Sequence, residues 1–360
     1  MENNKKIILT GGGTAGHCVP NLALVPELKE KNYEIAYIGS YTGIERKLVT
    51  AEGIRYHAIS SGKLRRYFDM KNFSDPFRVM KGFFQALSIL KKEKPDVIFS
   101  KGGFVSVPVV KAAALMHIPV IIHESDMTPG LANKLSYGSA SKICCSFRET
   151  LKYLPSDKAV FTGSPVRASL RKGERGRGRA FTGFNESTKP IIMVTGGSLG
   201  AAHVNEAVRH ALPKILPDWN VVHLCGKDKT DSDLIGKKGY VQYEYISKEM
   251  ADLFAMADLV ISRAGANAIF ELLSLRKPNI LVPLPTAGSR GDQLLNAKSF
   301  QKAGYSYVIQ DEELSDDTLM AAIYSVRDNS IDYIEAMENA EENDAVRTII
   351  NLIEEVRQTK

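Results

Sequence analysis

The chain alternates short apolar runs with longer segments in which apolar residues recur every three to four positions. Short apolar runs closed by Gly or Ser are typical of buried strands, and the longer period is typical of helices, such as those predicted at 22–30 and 74–92. This alternation indicates βαβ units and a doubly wound parallel sheet. The strands predicted in the first half are Lys6–Thr10, Glu34–Gly39, Arg55–Ser60, Asp96–Ser100, Val120–Glu124 and Ile143–Ser146.

The alternation stops around residues 162–165 and restarts at Ile191. The stretch between them, residues 171–190, is polar and rich in Arg and Gly, which predicts a domain junction followed by a loop. From about Ile331 to the end the chain is helical in character. Strands of the second half are predicted near Val221–Cys225, Leu259–Ser262 and Ile280–Pro283.

A chain of 360 residues is long enough for two domains with a core each. The sequence therefore predicts an α/β protein made of two Rossmann-like doubly wound domains that face a cleft. The predicted bounds are 1–163 for the N-terminal domain, 164–330 for the C-terminal domain and 331–360 for a C-terminal helix.

Each predicted domain opens with the same short pattern. "KKIILTGGGTAGH" at residues 5–17 returns in altered form as "KPIIMVTGGSLGA" at residues 189–201. Glycines after a strand let the backbone turn sharply and approach a ligand, and the following helix directs N–H groups at it. The sequence thus predicts two anion-binding turns.

Three other functions of these turns have weaker support. Gly11, Gly13 and Gly16 satisfy GxGxxG, but the second predicted strand ends without the acidic residue that binds the ribose of a dinucleotide. Neither turn contains the Gly-Lys-Ser/Thr of a P-loop. Ser198 satisfies GxSxG, yet the last histidine, His223, follows it too closely for a hydrolase triad. Ser198 is better interpreted as a residue that donates hydrogen bonds to phosphate.

Charge and composition narrow the choice of partners. The net charge is +6, and residues 63–94 hold nine Lys or Arg against three Asp or Glu. In that segment Phe73, Phe77, Met80, Phe84 and Leu87 form one helical stripe, which predicts either core packing or contact with an anionic membrane surface. The sequence shows no nucleic-acid module and no metal-ligand spacing. Four cysteines without CxxC spacing, and a start unlike a signal peptide, favour the cytoplasm.

Further motifs accompany the two turns in a fixed order: "KGGFVSVPVVKAA", "IIHESDMTPGLANK", "ISRAGANAIFELLSLRKPNILVPLP" and "DQLLNA". With these motifs the chain resembles the MurG family of bacterial glycosyltransferases from about residue 5 to its end. The resemblance implies a GT-B fold and inverting transfer of N-acetylglucosamine from UDP-GlcNAc to lipid I, the undecaprenyl-pyrophosphate-linked muramyl peptide, to form lipid II. It implies no cofactor and no bound metal, a C-terminal helix that packs back on the N-terminal domain, and peripheral binding at the cytoplasmic face of the membrane. Two alternatives stay open: another GT-B transferase with a diacylglycerol acceptor, and a non-catalytic UDP-sugar-binding scaffold.

The resemblance also implies roles for individual residues. Glu271 corresponds to a ribose ligand, Ile246 to a residue whose backbone meets the uracil, and Gln293, supported by Asn296, to a ligand of a sugar hydroxyl. The full set of residues expected to bind UDP-GlcNAc is Thr14, Ala15, Gly16, Asp126, Arg167, Ser198, Ile246, Ala266, Glu271 and Gln293.

Transfer from a sugar diphosphate needs a base that deprotonates the acceptor hydroxyl. His17 closes the first glycine turn, where the dipole of the following helix favours a neutral imidazole, and is the first candidate. Glu124 is the competing candidate, either as the base or as a residue that orients the acceptor. The sequence departs from many family members by having "HESD" in place of "HEQN", so Asp126 can accept but not donate a hydrogen bond.

Overall fold

The computed structural model of the protein describes residues 5–62, 75–197, 200–286, 291–340 and 344–358. Main-chain contacts divide the chain into two compact units. The first unit comprises Met1–Arg167 and Asn343–Lys360, and the second unit comprises Ala168–Glu342. Each unit is built on its own parallel sheet.

The first unit contains a sheet of seven parallel strands. They are β1 (Lys5–Thr10), β2 (Tyr33–Ser40), β3 (Arg55–Ile59), β4 (Val97–Ser100), β5 (Val120–Glu124), β6 (Lys142–Cys145) and β7 (Ala159–Phe161). The order across the sheet is β3-β2-β1-β4-β5-β6-β7. Central β1 pairs Ile7 with Ile35 on one side and with Val97 on the other. Apolar runs suit these strands because helices cover both faces of such a sheet.

Among the described residues, six α-helices lie between these strands. They are α1 (Ala15–Ala23), α2 (Val25–Glu30), α3 (Ile44–Ala51), α4 (Asp75–Glu93), α5 (Ser106–Leu115) and α6 (Leu131–Ser136). Small and β-branched residues of α5, such as Val109 and Ala113, are fully buried in one core cluster with Ile98 and Ile122 of the sheet. Ala86 and Leu90 of α4 belong to the same cluster. These two helices therefore cover the same face of the sheet.

The second unit repeats the arrangement with six parallel strands. They are β8 (Ile191–Thr195), β9 (Asn220–Leu224), β10 (Tyr240–Tyr243), β11 (Leu259–Ser262), β12 (Asn279–Leu281) and β13 (Tyr307–Val308). Their order is β10-β9-β8-β11-β12-β13. The helices of this unit are α7 (Arg175–Thr182), α8 (Ala202–Ile215), α9 (Met250–Met256), α10 (Ala266–Ser274), α11 (Asp292–Lys302), α12 (Asp316–Asp328) and α13 (Ser330–Glu338).

The C-terminal region consists of two helices that belong to different units. Helix α13 lies in the second unit, whereas α14 (Ala345–Gln358) lies in the first. Ile349 and Ile353 of α14 are fully buried in one core cluster with Ile7 of β1, and Lys5 forms an ion pair with Glu354 at 2.9 Å. The single helix expected over 331–360 is therefore divided, with only its second part on the first sheet.

The polar segment 171–190 is not a loop throughout, contrary to the sequence prediction. It contains α7, which ends at Thr182 and is followed by Gly183 in the left-handed conformation. Gly178 packs so closely against the backbone of Asp252 that a Cβ would collide with it, and Arg177 forms an ion pair with Asp252 at 2.8 Å. Packing against α9 stabilises this helix, and such contacts leave no periodic signal in the sequence.

Strand order reverses beside β1 in the first unit and beside β8 in the second. In the first sheet β2 and β3 lie on one side of β1 and β4 lies on the other. In the second sheet β9 and β10 lie on one side of β8 and β11 lies on the other. Ligands of doubly wound sheets bind outside the carboxyl ends of the strands at this switch point. The two glycine turns follow β1 and β8 directly, so each lies at the switch point of its own sheet. No helix among the described residues is both long and apolar enough to span a membrane.

Candidate functional site

The first glycine turn connects β1 to α1, and Thr14 is the N-cap of that helix. Gly13 has a φ of 91°, which favours glycine, and a Cβ on Gly11 would lie 2.6 Å from the carbonyl oxygen of His17. Ala15 and Gly16 form the start of α1. The positive end of the helix dipole is therefore directed at the carboxyl edge of the sheet, as an anion-binding turn requires.

A further glycine turn, formed by Gly102 and Gly103, follows β4, the neighbour of β1. It packs against the glycine turn that follows β1. A Cβ on Gly103 would collide with the carbonyl oxygen of Gly12, and Gly102 and Gly103 both have positive φ values, 87° and 83°. The close approach of two backbones at this switch point explains the glycines of "KGGF". The sequence motif marked this turn, but only the fold shows that it abuts the first one.

The buried carboxylate of Glu45 accepts hydrogen bonds from the first glycine turn and from the end of β2. Glu45 of α3 accepts from the backbone N–H of Gly13 at 3.3 Å through Oε2 and from the backbone N–H of Ser40 at 3.0 Å through Oε1. Its side chain is fully buried. Sequence reasoning missed Glu45, since an acidic residue in the first turn of a helix is usually at the surface. Its carboxylate is engaged with the end of β2, where a dinucleotide enzyme would keep an acid for ribose.

The ring of His17 is fixed by a backbone carbonyl. Its Nδ1 lies 3.1 Å from the carbonyl oxygen of Lys101, which can only accept a hydrogen bond, so Nδ1 carries the proton. In the neutral ring the basic lone pair is then on Nε2. His17 lies in the first turn of α1, between the two glycine turns that flank the switch point. This geometry suits a group that accepts a proton.

The carboxylate of Glu124, at the end of β5, is buried and saturated with hydrogen bonds. Its Oε1 accepts from the backbone N–H groups of Ser125 and Asp126, at 3.1 and 3.4 Å. Its Oε2 accepts from the backbone N–H of Gly130 and from Nδ2 of Asn133, both at 2.9 Å. Burial raises the pKa of Glu124, although these donors act against the increase. The arrangement suits a residue that shapes the loop before α6 better than a base open to substrate.

Two further predicted residues of the first unit lie away from its glycine turns in sequence. Asp126 is half-buried in the loop after β5, and its carbonyl accepts from Oγ1 of Thr150 at 3.5 Å. Arg167 is the last residue of the first unit, although its expected role is in the donor site. Thr14, Ala15 and Gly16 share the β1 edge with His17. Contacts of these residues with a sugar nucleotide stay predictions.

The second glycine turn predicted from the sequence follows β8. Gly197 has a φ of 76° and Gly200 a φ of 68°, and a Cβ on Gly200 would collide with the carbonyl oxygen of Cys225. Helix α8 begins two residues later, at Ala202. Ser198, which is predicted to donate a hydrogen bond to the phosphates, lies outside the described residues. The surrounding geometry is that of a strand, a tight turn and a helix N-terminus at a switch point.

Helix α10 follows β11, the neighbour of β8, and carries two predicted residues. Ala266 is the first residue of the helix and is buried, and Glu271 lies half-buried farther along it. The turn before this helix is held by Arg263, which donates to the carbonyl of Val282 at 3.1 Å and forms an ion pair with Asp311. Arg263 is part of the quoted "SRAG" motif, but its bridging role was not predicted.

Gln293 and Asn296, both on α11, contact the neighbouring turns. The Oε1 of Gln293 accepts from the backbone N–H of Leu284 at 3.0 Å, which fixes the amide. Buried Asn296 donates to the carbonyl of Ala264 at 3.2 Å. Ile246 is buried in the segment that follows β10. The residues of the second unit that are predicted to bind UDP-GlcNAc thus follow four strands, β8, β10, β11 and β12. The carboxyl ends of these strands share one edge of the sheet.

The histidines of the second unit have structural partners. His223 is fully buried in β9, where it contacts Asn205 and Tyr240, both at 3.0 Å. His203 pairs with Asp311 at 3.0 Å and His210 with Asp316 at 2.9 Å. His223 is therefore a core residue, which adds to the argument against a hydrolase triad. Within the described ranges, no group of three or more His, Cys, Asp or Glu is placed to hold a metal ion.

The apolar stripe of α4 divides into a buried and an exposed part. Leu90 is fully buried and Leu87 packs on the core, whereas Phe77, Met80 and Phe84 are 73%, 54% and 61% exposed. The exposed three are spaced by three and four residues, so they share one face of the helix. Phe73 and the basic residues from 63 to 74 lie outside the described residues.

The comparisons with known proteins agree with this geometry. The N-terminal domain of glycosyltransferase family 28 matches residues 7–145, and the C-terminal domain of the same family matches residues 191–353. The chain is 62% identical, over 353 residues, to the UDP-N-acetylglucosamine--N-acetylmuramyl-(pentapeptide) pyrophosphoryl-undecaprenol N-acetylglucosamine transferase of Lachnoclostridium phytofermentans, covering 98% of this chain and 99% of that protein. The transferase of the same name from Lachnospira eligens is 60% identical over 351 residues, with the same coverage of 98% and 99%. The crystal structure of Acinetobacter baumannii MurG superposes with a TM-score of 0.75 at 26% identity, covering 98% of this chain and 99% of that one.

The two Rossmann-like units have the GT-B fold, and the chain belongs to glycosyltransferase family 28, whose two domains together match most of it. Within that family it is a member of the MurG group. The predictions of the family, the fold class and the enzyme class made from the sequence are confirmed.

Proposed function

We propose that this protein transfers N-acetylglucosamine from UDP-GlcNAc to lipid I, the undecaprenyl-pyrophosphate-linked muramyl peptide, to form lipid II. The observation that carries the proposal is the 55–62% identity, over 97–98% of this chain, to transferases named for this reaction. The two anion-binding turns support it, because both substrates contain a diphosphate. A transferase with a diacylglycerol acceptor would need only one such turn.

The second unit is the proposed site of the donor. The N-terminus of α8, which follows β8, suits the diphosphate, because its helix dipole stabilises the negative charge that grows there as UDP leaves. Glu271, on the helix after the neighbouring strand, offers two oxygens for the vicinal hydroxyls of the ribose. Gln293 keeps its Nε2 as a donor for a sugar hydroxyl, since its Oε1 accepts from Leu284. This arrangement stabilises the leaving group without a step through a metal.

The first unit is the proposed site of the acceptor, with His17 as its base. The Nδ1–H bond to the carbonyl of Lys101 leaves Nε2 as the basic atom. Nε2 removes the proton from the acceptor hydroxyl as its oxygen attacks the anomeric carbon from the face opposite UDP, so the configuration inverts. The N-terminus of α1, which follows the first turn, directs the positive end of its dipole at the acceptor pyrophosphate. Glu124 orients the loop before α6.

Helix α4 is the proposed membrane contact. Phe77, Met80 and Phe84 form an exposed apolar face, and exposed Lys81 and Arg78 lie on the same helix. Apolar side chains flanked by basic ones suit the interface of an anionic bilayer. Because the proposed acceptor is anchored in the bilayer, such a contact brings the enzyme to its substrate at the cytoplasmic face.

The test is transfer to a defined acceptor. Purified protein receives UDP-GlcNAc and a short-chain lipid I analogue, and mass spectrometry follows an acceptor that gains one N-acetylhexosamine while UDP is released. UDP-glucose with diacylglycerol is the matched alternative pair. Product from the first pair alone is expected. Product from the second pair alone, or donor binding without product from either, would refute the proposal.

A further inference from the structure

Lys101 is a buried lysine whose backbone carbonyl orients His17 in the proposed mechanism. Its side chain has no role in that mechanism so far. It is the first residue after β4, at the switch point, and only 1% of its surface is exposed. Its Nζ lies 2.7 Å from Nδ1 of His123 on the adjacent strand β5. A fully buried lysine is rare unless it is paired, so a side chain held in this way calls for an explanation.

The contact between Lys101 and His123 has a defined direction. The Nε2 of His123 lies 2.9 Å from the carbonyl oxygen of Gly163, which can only accept, so Nε2 carries the proton of the neutral ring. Nδ1 of His123 is then an acceptor, and the amine of Lys101 is the donor. Burial, together with the charge of Lys101, lowers the pKa of His123 well below its ordinary value, which keeps the ring neutral. The imidazole thus links Lys101 to the segment after β7.

The same residue contacts the proposed base through its backbone. The carbonyl of Lys101 accepts from Nδ1 of His17 at 3.1 Å, and its N–H donates to the carbonyl of Thr10 at 2.9 Å. Gly102 and Gly103 follow immediately, both with positive φ. Glycine has the most backbone freedom to lose, so this turn is held weakly by local preference. A side chain anchored at its far end is one way to fix the carbonyl that orients His17.

We infer that Lys101 is a positioning residue of the proposed transfer: its Nζ–His123 contact fixes the carbonyl that holds His17 in the Nδ1–H tautomer. This inference rests on the proposed function for its kinetic consequence and on geometry alone for its structural one. Lys101 does not touch substrate. It acts through His17, so its removal changes the rate of the chemical step rather than the affinity for the donor.

The kinetic test replaces each partner of the contact in turn. Lys101→Met keeps the volume and removes the donor, and we expect kcat to fall roughly 10- to 100-fold, with KM for UDP-GlcNAc within about twofold of wild type. His123→Leu should have the same effect. His123→Gln keeps an acceptor for Lys101 and a donor for Gly163, and should retain most of the rate. Lys111→Met, on the exposed face of α5, is the matched control.

The structural test reads the tautomer of His17 directly. ¹⁵N NMR of histidine-labelled protein, with the His17 signals assigned by comparison with a His17→Gln variant, should show a protonated Nδ1 in wild type. In Lys101→Met this signature should be lost, and in His123→Gln it should be kept. Unchanged kcat and an unchanged His17 spectrum in Lys101→Met would overturn the inference. If that variant does not fold, the two His123 variants test the same contact from the other side.

The two readouts also separate the inference from the proposed function. The NMR result needs no lipid acceptor, so it decides the positioning role even if wild-type protein does not transfer N-acetylglucosamine. Absence of transfer by wild type would refute the proposed function alone. Wild-type transfer with a normal rate and tautomer in all three variants would refute the positioning role alone.

Discussion

Asn133 donates to the carboxylate of Glu124 at 2.9 Å, from a helix that begins only seven residues after this glutamate ends its strand. Three backbone N–H groups donate to the same carboxylate, so both oxygens are engaged. A carboxylate in this state holds a loop together. The relationship therefore favours His17 over Glu124 as the base, and that assignment stays a prediction.

Glu124→Gln should mainly cost stability. The amide keeps one acceptor but turns one oxygen into a donor that faces N–H groups, which costs about 1–3 kcal/mol of unfolding free energy. We expect kcat to fall about tenfold or less and the acid limb of its pH profile to remain. Urea unfolding and steady-state kinetics check both. A fall of more than about 100-fold with the acid limb gone, in a fully folded variant, would make Glu124 the base.

His17→Ala should lower kcat by roughly 10²- to 10⁴-fold, the usual contribution of a positioned proton acceptor. The kcat profile should also lose its acid limb, because an imidazole accepts a proton only when neutral. Donor affinity, measured by calorimetry with UDP, should change little. His210→Ala is the control, since His210 is exposed and pairs with Asp316 on the surface. A loss of only tenfold with the acid limb intact would remove His17 from this role.

Glu271→Ala should raise KM for UDP-GlcNAc and weaken UDP binding, with a smaller effect on kcat. The ribose is remote from the reacting carbon, so its contacts contribute to binding in ground state and transition state alike. Isothermal titration with UDP measures the loss directly. Glu335→Ala, on the exposed face of α13, is the matched control. Equal UDP affinity in the two variants would take Glu271 out of the donor site.

The double substitution Phe77→Ser/Phe84→Ser should weaken sedimentation with anionic vesicles. These side chains are 73% and 61% exposed, so their loss should leave the thermal midpoint nearly unchanged. Binding of wild type should also fall as salt rises, because salt screens basic residues such as Lys91 and Lys92 of α4. Ile235→Ser, at an exposed apolar residue of the second unit, is the control. Equal vesicle binding by both variants would contradict the membrane role of α4.

The burial of Lys101 also predicts that the stability of the protein depends on pH. Burial lowers the pKa of its ammonium from 10.5 to about 7, although Glu124, Asp126 and Cys144 raise it. Between these values the unfolded chain binds the proton and the folded protein does not, so the contribution of Lys101 to stability rises with pH. Lys101→Met should therefore gain stability relative to wild type at pH 6.5, on the order of a few kcal/mol, and lose that gain towards pH 10. Urea unfolding at both pH values measures it, and a difference independent of pH would contradict the assignment.

The local pattern of apolar residues was sufficient to predict the bounds of central strands. The predicted Val120–Glu124 and Leu259–Ser262 agree with β5 and β11 residue for residue, because strands covered on both faces are continuous apolar runs. The helix predicted at 22–30 was wrong in its bounds, since a break at Leu24 separates α1 from α2. Short edge strands such as β7 and β13 were missed, because two or three residues carry no periodic signal.

The sequence by itself determined the alternation of strands and helices, the two glycine turns, the family and the types of residue at the site, because these are properties of local order. Tertiary structure decided which of those residues meet. Glu45 behind Gly13, Lys101 between His17 and His123, and Arg263 between two strand ends are contacts across many residues of chain. It also decided that part of the α4 stripe is core and part is exposed. Burial and partner choice depend on which elements pack together, and a one-dimensional pattern does not contain that information.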